Sequence, residues 1–439
     1  MCSQNRLKNN LKWILIGNIL YSFFNFCLNI YVARTLTKSD YGILEYSTSL
    51  VSFLTSLGTL GIYGVIMKLF ADEPEAKGSY MGSGIVARLI LSLLSILLLQ
   101  VLLMLSAETR EHRLIIFLQS ISTVFASANL LLNWYRFENK ASVAAVQRLA
   151  AFFVTAVFRV VALTVFHSLP LYVIGIALET GIFSALMLFQ YFRYGGQKLR
   201  FSGAVTRRLL KLSYPFIFSS LVAVIYGHAD RIMLKGMLDS TAVALYSVSF
   251  TLAGAISILP SNIIEAFRPD IMDAKGKDEE LYRLRIRQLY SCVFWICVCY
   301  CLVLTVFARP IILLLYGAKY EGSAASLSIV VWYTSFAFFG SINNMYMVAE
   351  RCTLWVHVTA LTGALVNVAL NFLLIPPLGV LGAAWASLIS QAIANFVMMA
   401  VIPDLRRGFG YMIDGILLRN GSISFLTPVA EKLKRKLKR

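Results

Sequence analysis

Long apolar segments alternate with short polar stretches over almost the whole chain. Each apolar segment has roughly 20 residues or more, enough for a helix to cross a ~30 Å hydrocarbon core. A backbone in lipid must satisfy its own hydrogen bonds, and the segments are far longer than barrel strands, so helices are expected. Twelve spans are predicted, at about 11–33, 42–69, 82–107, 113–134, 143–166, 169–192, 212–235, 242–267, 287–316, 324–349, 355–376 and 379–402. The pattern therefore predicts an all-α integral membrane protein with about twelve transmembrane helices.

The twelve spans fall into two sets of six because the chain contains an ordered internal repeat. Pro170–Ala177 and Pro377–Ala384 share the pattern P-L-x-V-x-G-x-A at an offset of 207 residues. Two shorter matches, at offsets of 200 and 211, pair Tyr46–Ser49 with Tyr246–Ser249 and Asn133–Tyr135 with Asn344–Tyr346. Repeats in one order at nearly one offset indicate two related halves. Six spans per half give both halves the same orientation. We therefore expect two pseudo-symmetric six-helix bundles related by an axis along the membrane normal.

The repeat and the polar stretches divide the chain into four predicted regions. The N-terminal bundle covers residues 1–192 and the C-terminal bundle covers 212–402. A basic cytoplasmic linker at 193–211 joins them, and a basic cytoplasmic tail follows at 403–439.

Composition and charge predict a protein of the cytoplasmic membrane with both termini in the cytoplasm. The 439 residues are 58% hydrophobic and 14% charged, with a mean hydropathy of +0.73, which is too apolar for a soluble globular protein. Of the 40 lysines and arginines, 31 fall on the side of the N-terminus and 8 on the other, with Arg159 inside a span. This bias predicts the orientation of a multi-pass protein. It also accounts for the net charge of +18 without nucleic acid as a partner.

The sequence predicts neither catalysis nor a bound cofactor. There is no G-x-x-x-x-G-K-[ST] loop and no G-x-G-x-x-G after a strand, so ATP hydrolysis by this chain is not expected. The four histidines are scattered, no nucleophile–base arrangement is evident, and the seven cysteines form no C-x-x-C pair. Cysteines inside apolar spans are typical of helix packing rather than of metal binding. We therefore expect no catalytic residue and no metal site.

One face of the first span is polar. Asn18, Ser22, Asn25 and Asn29 follow one another at i, i+4, i+7 and i+11, which places them on one side of a helix. Amides that face lipid would be costly, so this side should meet water or other helices. The four side chains either line a polar cavity or form hydrogen bonds between helices.

Two charges lie deepest in the predicted spans, Arg159 in the fifth and Glu179 in the sixth. The two spans are antiparallel neighbours, and each charge is about 8–9 residues from the turn between them, or roughly 12–14 Å at ~1.5 Å per residue. An unpaired charge at this depth is costly, so we expect the side chains to pair or to share one water-filled cavity. The pair is either structural, or Glu179 takes up a coupling cation and releases Arg159 to the substrate. Separate partners for each side chain are the third possibility.

Two further charges, Asp230 and Arg231, lie near the outer end of the seventh span together with Lys235. Snorkelling to the membrane surface is the simpler interpretation of this position. A place in a polar cavity is the alternative.

Four segments resemble those of a known transporter family. Tyr31–Gly42, with the sequence YVARTLTKSDYG, resembles the link between the first two helices in polysaccharide and O-antigen repeat-unit flippases. Asp230–Leu234, Ile312–Tyr320 and Asn371–Ser390 resemble the ends of that family's seventh and ninth helices and its last hairpin. These flippases belong to the multidrug/oligosaccharidyl-lipid/polysaccharide exporter superfamily, and the resemblance covers about residues 10–402.

The resemblance implies a flippase that moves isoprenoid-pyrophosphate-linked oligosaccharide repeat units across the membrane by alternating access. It implies a central cavity that holds the substrate headgroup and a proton or sodium gradient that drives turnover. Lipid-linked oligosaccharide, membrane lipid and glycan polymerases are then the expected partners. The candidate cavity residues are Asn18, Ser22, Asn25, Asn29, Arg159, Asp230 and Arg231, and Glu179 is the candidate for ion coupling.

Two other functions remain open on the sequence. A cation-coupled multidrug exporter would have the same architecture, but its cavity should be more apolar and acidic than the amides and Arg159 indicate. A membrane-embedded glycan polymerase or ligase would usually have a large outer loop, whereas every predicted outer loop is short.

Overall fold

Helices form nearly all of the described structure, and no strand occurs within it, as the apolar pattern predicts. The computed structural model describes the backbone of residues 2–59, 62–106 and 108–422. Within these ranges it describes the side chains apart from those of 2–15, 57, 59, 63, 64 and 215–220. The predicted tail therefore lies outside the described residues from 423 onward.

The helices cover the predicted spans, and α1, α9 and α12 begin eight or nine residues before the predicted bounds. In the first part of the chain the α-helices are α1 Cys2–Thr35, α2 Lys38–Thr59, α3 Ile62–Asp72, α4 Lys77–Met104, α5 Arg110–Ala126, α6 Leu131–Phe137, α7 Ala141–Thr164, α8 Leu169–Arg193 and α9 Gly203–Met237. They continue with α10 Ser240–Gly254, α11 Ile258–Ala274, α12 Glu279–Val306, α13 Ala308–Tyr316, α14 Ser323–Ala349, α15 Thr353–Leu378, α16 Val380–Ala392, α17 Met398–Val401 and α18 Arg406–Ile416.

Ten helical stretches of the described chain are long and apolar enough to cross a membrane. They coincide with ten of the twelve predicted spans. The other two predicted spans, 42–69 and 212–235, contain residues outside the described set. Helices α2 and α3 cover the first of these, and α9 covers the second.

Three predicted spans are interrupted by a turn of different helical geometry. A 3₁₀ turn at Ser127–Leu130 separates α5 from α6, and another at Ala255–Ser257 separates α10 from α11. A π-helical turn at Ile393–Val397 separates α16 from α17. Hydropathy does not distinguish such turns from α-helix, although they often occur at functional positions.

The chain divides into two compact units. Unit 1 contains Met1–Lys235 and Asp239–Ala244, and unit 2 contains Gly236–Leu238 and Leu245–Arg439. Most of α9 therefore groups with unit 1, although the sequence repeat assigns the seventh span to the second half. The first turn of α10 also belongs to unit 1 and packs closely on α2: a Cβ atom at Gly42 would lie 1.8 Å from the carbonyl oxygen of Ser240. The repeat boundaries at 192 and 212 remain a prediction.

The predicted linker is bound to unit 1 along much of its length. The Gly78 amide donates to Gln197 Oε1 at 2.8 Å, the Arg200 amide donates to the Gly78 carbonyl at 3.2 Å, and the Ser202 amide donates to Ser83 Oγ at 3.0 Å. A Cβ atom at Gly82 would lie 2.5 Å from the Arg200 carbonyl oxygen. The first part of the linker thus packs against the start of α4. The remainder of the linker forms the first turns of α9.

Each unit has its own apolar core. The core of unit 1 is rich in aromatic residues and includes Phe70, Tyr80, Trp134, Tyr135 and Tyr191. The core of unit 2 includes Tyr282, Tyr290, Phe339, Tyr346 and Met412. Because Met412 belongs to α18, the last described helix is part of the folded unit.

Candidate functional site

A polar cavity of about 290 Å³ lies within unit 1, between α1, α6, α7 and α8. Charged and amide side chains contribute much of its wall, and alanines and large apolar side chains contribute the rest. The lining residues are Asn18, Tyr21, Asn129, Leu132, Arg136, Ala141, Ala144, Ala145, Arg148, Glu179, Thr180 and Phe183. A concave site with a few convergent polar groups is typical of ligand binding.

The carboxylate of Glu179 is held by two partners at the wall of this cavity. Arg159 Nη2 donates to Glu179 Oε2 at 2.5 Å, and Tyr21 Oη donates to Glu179 Oε1 at 3.1 Å. The Arg159 and Glu179 side chains are only 5% and 13% exposed. The pairing expected from their depth is therefore confirmed, whereas the tie to α1 through Tyr21 was not predicted.

Glycine in the repeat motif makes room for the ion pair. A Cβ atom at Gly175 would lie 2.4 Å from Arg159 Cγ, which is far inside van der Waals contact. The arginine side chain therefore crosses α8 at a position that has no side chain of its own. The Arg159 guanidinium also lies 5.4 Å from the centre of the Phe152 ring, close enough for a cation–π contact.

Two arginines make the cavity electropositive. The Arg148 guanidinium lies 3.9 Å from the centre of the Tyr21 ring, and Arg136 lines the same cavity from the end of α6. The carboxylate in the wall, Glu179, is already paired with Arg159. Two cations thus remain to attract an anionic ligand, and guanidinium groups suit phosphate oxygens because they donate in a planar fork.

A buried arginine supports the broken helix that carries Asn129. Arg88 is 3% exposed in the middle of α4, and its Nη2 donates to the Ala126 carbonyl at 3.1 Å, where α5 ends. Ser184 Oγ donates to the neighbouring Phe125 carbonyl at 2.8 Å and lies 3.3 Å from Asn129 Oδ1. The charge count of the sequence assigns Arg88 to the cytoplasmic side, which stays a prediction, and it did not anticipate that the side chain is buried.

The polar face of α1 divides between the two predicted roles. Asn18 lines the cavity, whereas Asn29 accepts a hydrogen bond of 3.0 Å from Tyr41 Oη, which ties α1 to α2. Ser22 is half-buried and Asn25 is exposed, and neither lines this cavity. Their place in a substrate path remains a prediction.

The charges near the end of α9 lie apart from this cavity but are also buried. Asp230 is 2% exposed and Arg231 is 7% exposed. Arg231 Nη1 donates to the Gly227 carbonyl at 3.2 Å, and its Nε lies 3.7 Å from a carboxylate oxygen of Glu45. Arg231 is thus engaged with α2 instead of extending to the surface. Whether either residue contacts substrate stays a prediction.

A second cavity of unit 1, of about 530 Å³, has hydroxyl groups of α2 and α5 and the Gln119 amide in a wall that is otherwise apolar. Gln119 Nε2 donates to Thr48 Oγ1 at 2.7 Å. Several of the hydroxyls, including those of Ser52 and Thr55, donate to carbonyls one turn earlier in α2. Hydroxyl oxygens satisfied in this way can still accept hydrogen bonds from a ligand.

Within the part of the chain that the structure describes, no group of three or more His, Cys, Asp or Glu side chains could hold a metal ion. The cysteines that are described are unpaired.

The sequence of the chain is similar to those of known proteins. The model of the family described as polysaccharide biosynthesis protein matches residues 7–274. The probable flippase AglR of Haloferax volcanii is 22% identical over 402 residues, which cover 88% of this chain and 81% of AglR.

Solved structures of membrane transporters share the fold. Lipid II flippase MurJ, in an inward closed conformation, matches with a TM-score of 0.72 at 15% identity, covering 96% of this chain and 99% of MurJ. An inward-facing multidrug resistance MATE family transporter of the MOP superfamily matches with a TM-score of 0.69 at 15% identity, covering 89% and 94%. These likenesses confirm the predicted fold class, an all-α membrane protein built from two helical bundles.

Proposed function

Because the chain belongs to the polysaccharide biosynthesis protein family, we propose that it is a flippase for lipid-linked oligosaccharide repeat units. It moves an isoprenoid-pyrophosphate-linked glycan across the cytoplasmic membrane for the synthesis of surface polysaccharide. The protein acts as a secondary transporter and not as an enzyme. Its similarity to the probable flippase AglR supports this assignment.

The observation that carries the proposal is the pair of arginines in the unit 1 cavity. Arg136 and Arg148 present two positive charges that no carboxylate among the lining residues neutralises, since Glu179 is bound by Arg159. A pyrophosphate group carries the complementary charge and can accept several charge-assisted hydrogen bonds. Asn18, Asn129 and the hydroxyl-lined cavity of α2 supply groups that suit sugar hydroxyls.

Transport is coupled to an ion through Glu179. A proton or sodium ion that neutralises this carboxylate weakens its hold on Arg159, so the guanidinium can turn toward the pyrophosphate. One elementary charge that crosses 100 mV supplies about 2.3 kcal/mol. A closed ion pair with a purely structural role is the competing assignment for Arg159 and Glu179.

The proposed setting is the cytoplasmic membrane, with the N- and C-termini in the cytoplasm. This orientation follows from the 31-to-8 distribution of lysine and arginine. Among the described residues of that count, Arg88 on one side and Arg231 on the other are buried, and the bias holds without them. The substrate then arrives from the cytoplasmic leaflet, and glycan polymerases on the other side are the candidate partners.

The test is a transport assay in proteoliposomes that contain lipid-linked oligosaccharide purified from the host membrane. The fraction of glycan open to membrane-impermeant periodate reports the rate of flipping. We expect Arg136→Gln/Arg148→Gln to lower this rate at least ~tenfold, since each charged hydrogen bond contributes about 1.5–3 kcal/mol. The matched control is Arg110→Gln/Arg113→Gln, which makes the same change of charge at the start of α5, outside the cavity. Equal rates for the two double variants would contradict the proposal.

The second candidate function is multidrug export, because a MATE family transporter shares the fold with a TM-score of 0.69. The two cavity arginines would repel the organic cations that such exporters commonly carry. Ethidium accumulation in cells with and without the protein separates the two functions. Lower accumulation that depends on the protein, together with no glycan flipping in vesicles, would assign it as an exporter.

A further inference from the structure

Unit 2 contains a polar groove of its own, between α11 and α14. The cavity has a volume of about 260 Å³ and is lined by Ser261, Ile264, Glu265, Arg268, Ser341, Asn344, Met345 and Val348. Polar groups stand on both helices, and three apolar side chains form the remainder of the wall.

Several exposed positions of these two helices are polar although both are membrane spans. On α11 the exposed positions include Ser261 and Glu265, one turn apart, and on α14 they include Ser341 and Asn344. Elsewhere in unit 2 the exposed positions of a span are apolar, as with Leu365, Phe372 and Leu373 of α15. A carboxylate or an amide that faces hydrocarbon would be expensive. The groove therefore faces water rather than lipid.

The polar groups of the groove retain hydrogen-bonding capacity. Within the described structure neither Asn344 nor Ser261 has a hydrogen-bond partner in the protein. Arg268 holds the Glu265 carboxylate in a fork, with Nε and Nη2 at 3.0 and 2.8 Å from its two oxygens. The fork fixes the orientation of the carboxylate without using all of its lone pairs.

We propose that this groove binds a neutral sugar ring of the transported glycan, an inference that rests on the proposed flippase function. Donors and acceptors stand side by side here, which suits vicinal hydroxyl groups, and Ile264, Met345 and Val348 suit the C–H face of a ring. The groove has no net charge because Glu265 neutralises Arg268, so it does not select phosphate. Its volume is just below the ~300 Å³ at which ligand pockets usually begin, which fits one ring rather than a whole oligosaccharide.

Unit 1 offers no equivalent groove at the matching point of the repeat. Asn133 corresponds to Asn344 at the offset of 211, but it is buried and its Nδ2 donates to the Leu130 carbonyl at 3.3 Å. The same residue type is therefore a packing group in unit 1 and an open binding group in unit 2. The pyrophosphate is then recognised in unit 1, and this one sugar ring of the glycan is recognised in unit 2.

The experiment measures two ligands on the full-length protein in nanodiscs. Saturation-transfer NMR follows the methyl glycosides of glucose, galactose and N-acetylglucosamine, and calorimetry follows inorganic pyrophosphate. We expect at least one glycoside to bind, and Asn344→Ala or Ser261→Ala to raise its Kd roughly tenfold. Pyrophosphate binding should be unchanged in these variants and weakened in Arg136→Gln/Arg148→Gln. Ser328→Ala, which removes a hydroxyl of α14 outside the groove, is the matched control.

Each outcome separates the groove from the proposed function. If no glycoside binds, or if Asn344→Ala binds it as the unaltered protein does, the groove is only a polar surface and the inference is overturned, even when pyrophosphate binds. If a glycoside binds in the groove but pyrophosphate does not bind at all, the groove stands and the pyrophosphate cavity of unit 1 fails. Thermal melting of each variant confirms that the protein is folded.

Discussion

The hairpin of α7 and α8 in unit 1 and the hairpin of α15 and α16 in unit 2 carry the same motif but different polar pairs. In unit 1, Arg159 and Glu179 form an ion pair of 2.5 Å. In unit 2, Asn367 Nδ2 donates to Ser387 Oγ at 3.5 Å. The two residues of each pair are 20 positions apart, and the pairs are offset by 208 residues, close to the 207 of the motif.

The corresponding glycines of the two motifs also differ in what packs against them. Gly175 makes room for the Arg159 side chain, whereas Gly382 makes room for backbone, with the Leu374 carbonyl oxygen 2.1 Å from the position of a Cβ atom. Unit 2 thus joins its two helices through tight backbone packing and a neutral hydrogen bond. Since a neutral pair suffices there, a buried ion pair is not needed to hold such a hairpin together. This comparison supports the proposed role of the unit 1 charges in transport.

The largest effect is expected when one charge of unit 1 is removed alone. Arg159→Asn leaves the Glu179 carboxylate buried with only Tyr21 as a described partner, which should cost about 3–5 kcal/mol of stability. Membrane abundance and thermal melting measure the loss. Asn367→Ala in unit 2 is the control and should cost about 1 kcal/mol. Equal losses would mean that the two hairpins do not differ as described.

Alanine at the two motif glycines should distinguish their roles. Gly382→Ala forces a Cβ atom against backbone and should lower stability by about 1–3 kcal/mol. Gly175→Ala presses on Arg159, whose long side chain can move, so it should lower transport more than stability. Flipping rate and melting temperature are measured for both variants. A larger loss of stability in Gly175→Ala, or a larger loss of transport in Gly382→Ala, would contradict these roles.

Tyr21 is expected to have a smaller effect. Tyr21→Phe removes the hydrogen bond to Glu179 but keeps the ring beneath Arg148, so about 0.5–1.5 kcal/mol should be lost. The flipping assay should therefore slow by no more than ~tenfold. A complete loss of transport would instead make the phenol itself essential.

The smallest effects are expected from pH at polar ends of the two units outside the spans. Hydrogen bonds from Tyr80 and Arg208 hold the pKa of Glu73 in unit 1 below its usual value of 4.5. The resulting stability is present above that value and is lost as the pH falls through the lowered pKa. Arg208→Gln should weaken this acid dependence in melting curves between about pH 3 and 6, while the hydrogen bond from Tyr80 keeps part of it.

In unit 2 the sign is opposite. Burial disfavours the charged form of Lys275, but the hydrogen bond to Glu350 and its charge outweigh burial and raise the pKa of Lys275 above 10.5. This contribution is complete below the usual value and is lost as the pH rises through the raised one. Glu350→Gln should therefore weaken the alkaline dependence and leave the acid dependence of Glu73 unchanged.

Sequence reasoning found the helices and the deep ion pair because both depend on position along the chain. The apolar runs give the lengths of the spans, and the number of residues from a turn gives the depth of a side chain in the membrane. Arg159 and Glu179 could therefore be placed at the same depth. It missed Arg88 because the number of residues from a span end does not show whether a side chain turns into the protein.

The cavity was only partly visible because it is formed by side chains of several helices. Arg148 and Arg159 are 11 residues apart, which places them on one face of α7, and Tyr21 follows Asn18 by one turn on α1. These spacings could have indicated the cavity. Which neighbour each helix face meets depends on packing between helices, and the hydropathy of the sequence does not predict that packing.

The most direct test of the central claim converts the pair of unit 1 into the pair of unit 2. The double variant Arg159→Asn/Glu179→Ser removes both charges at once and leaves no unpaired one. We predict that it is as abundant as the unaltered protein and melts close to it, but does not flip lipid-linked oligosaccharide in proteoliposomes. Flipping at the normal rate, or a protein that no longer folds, would contradict the claim that these charges serve transport.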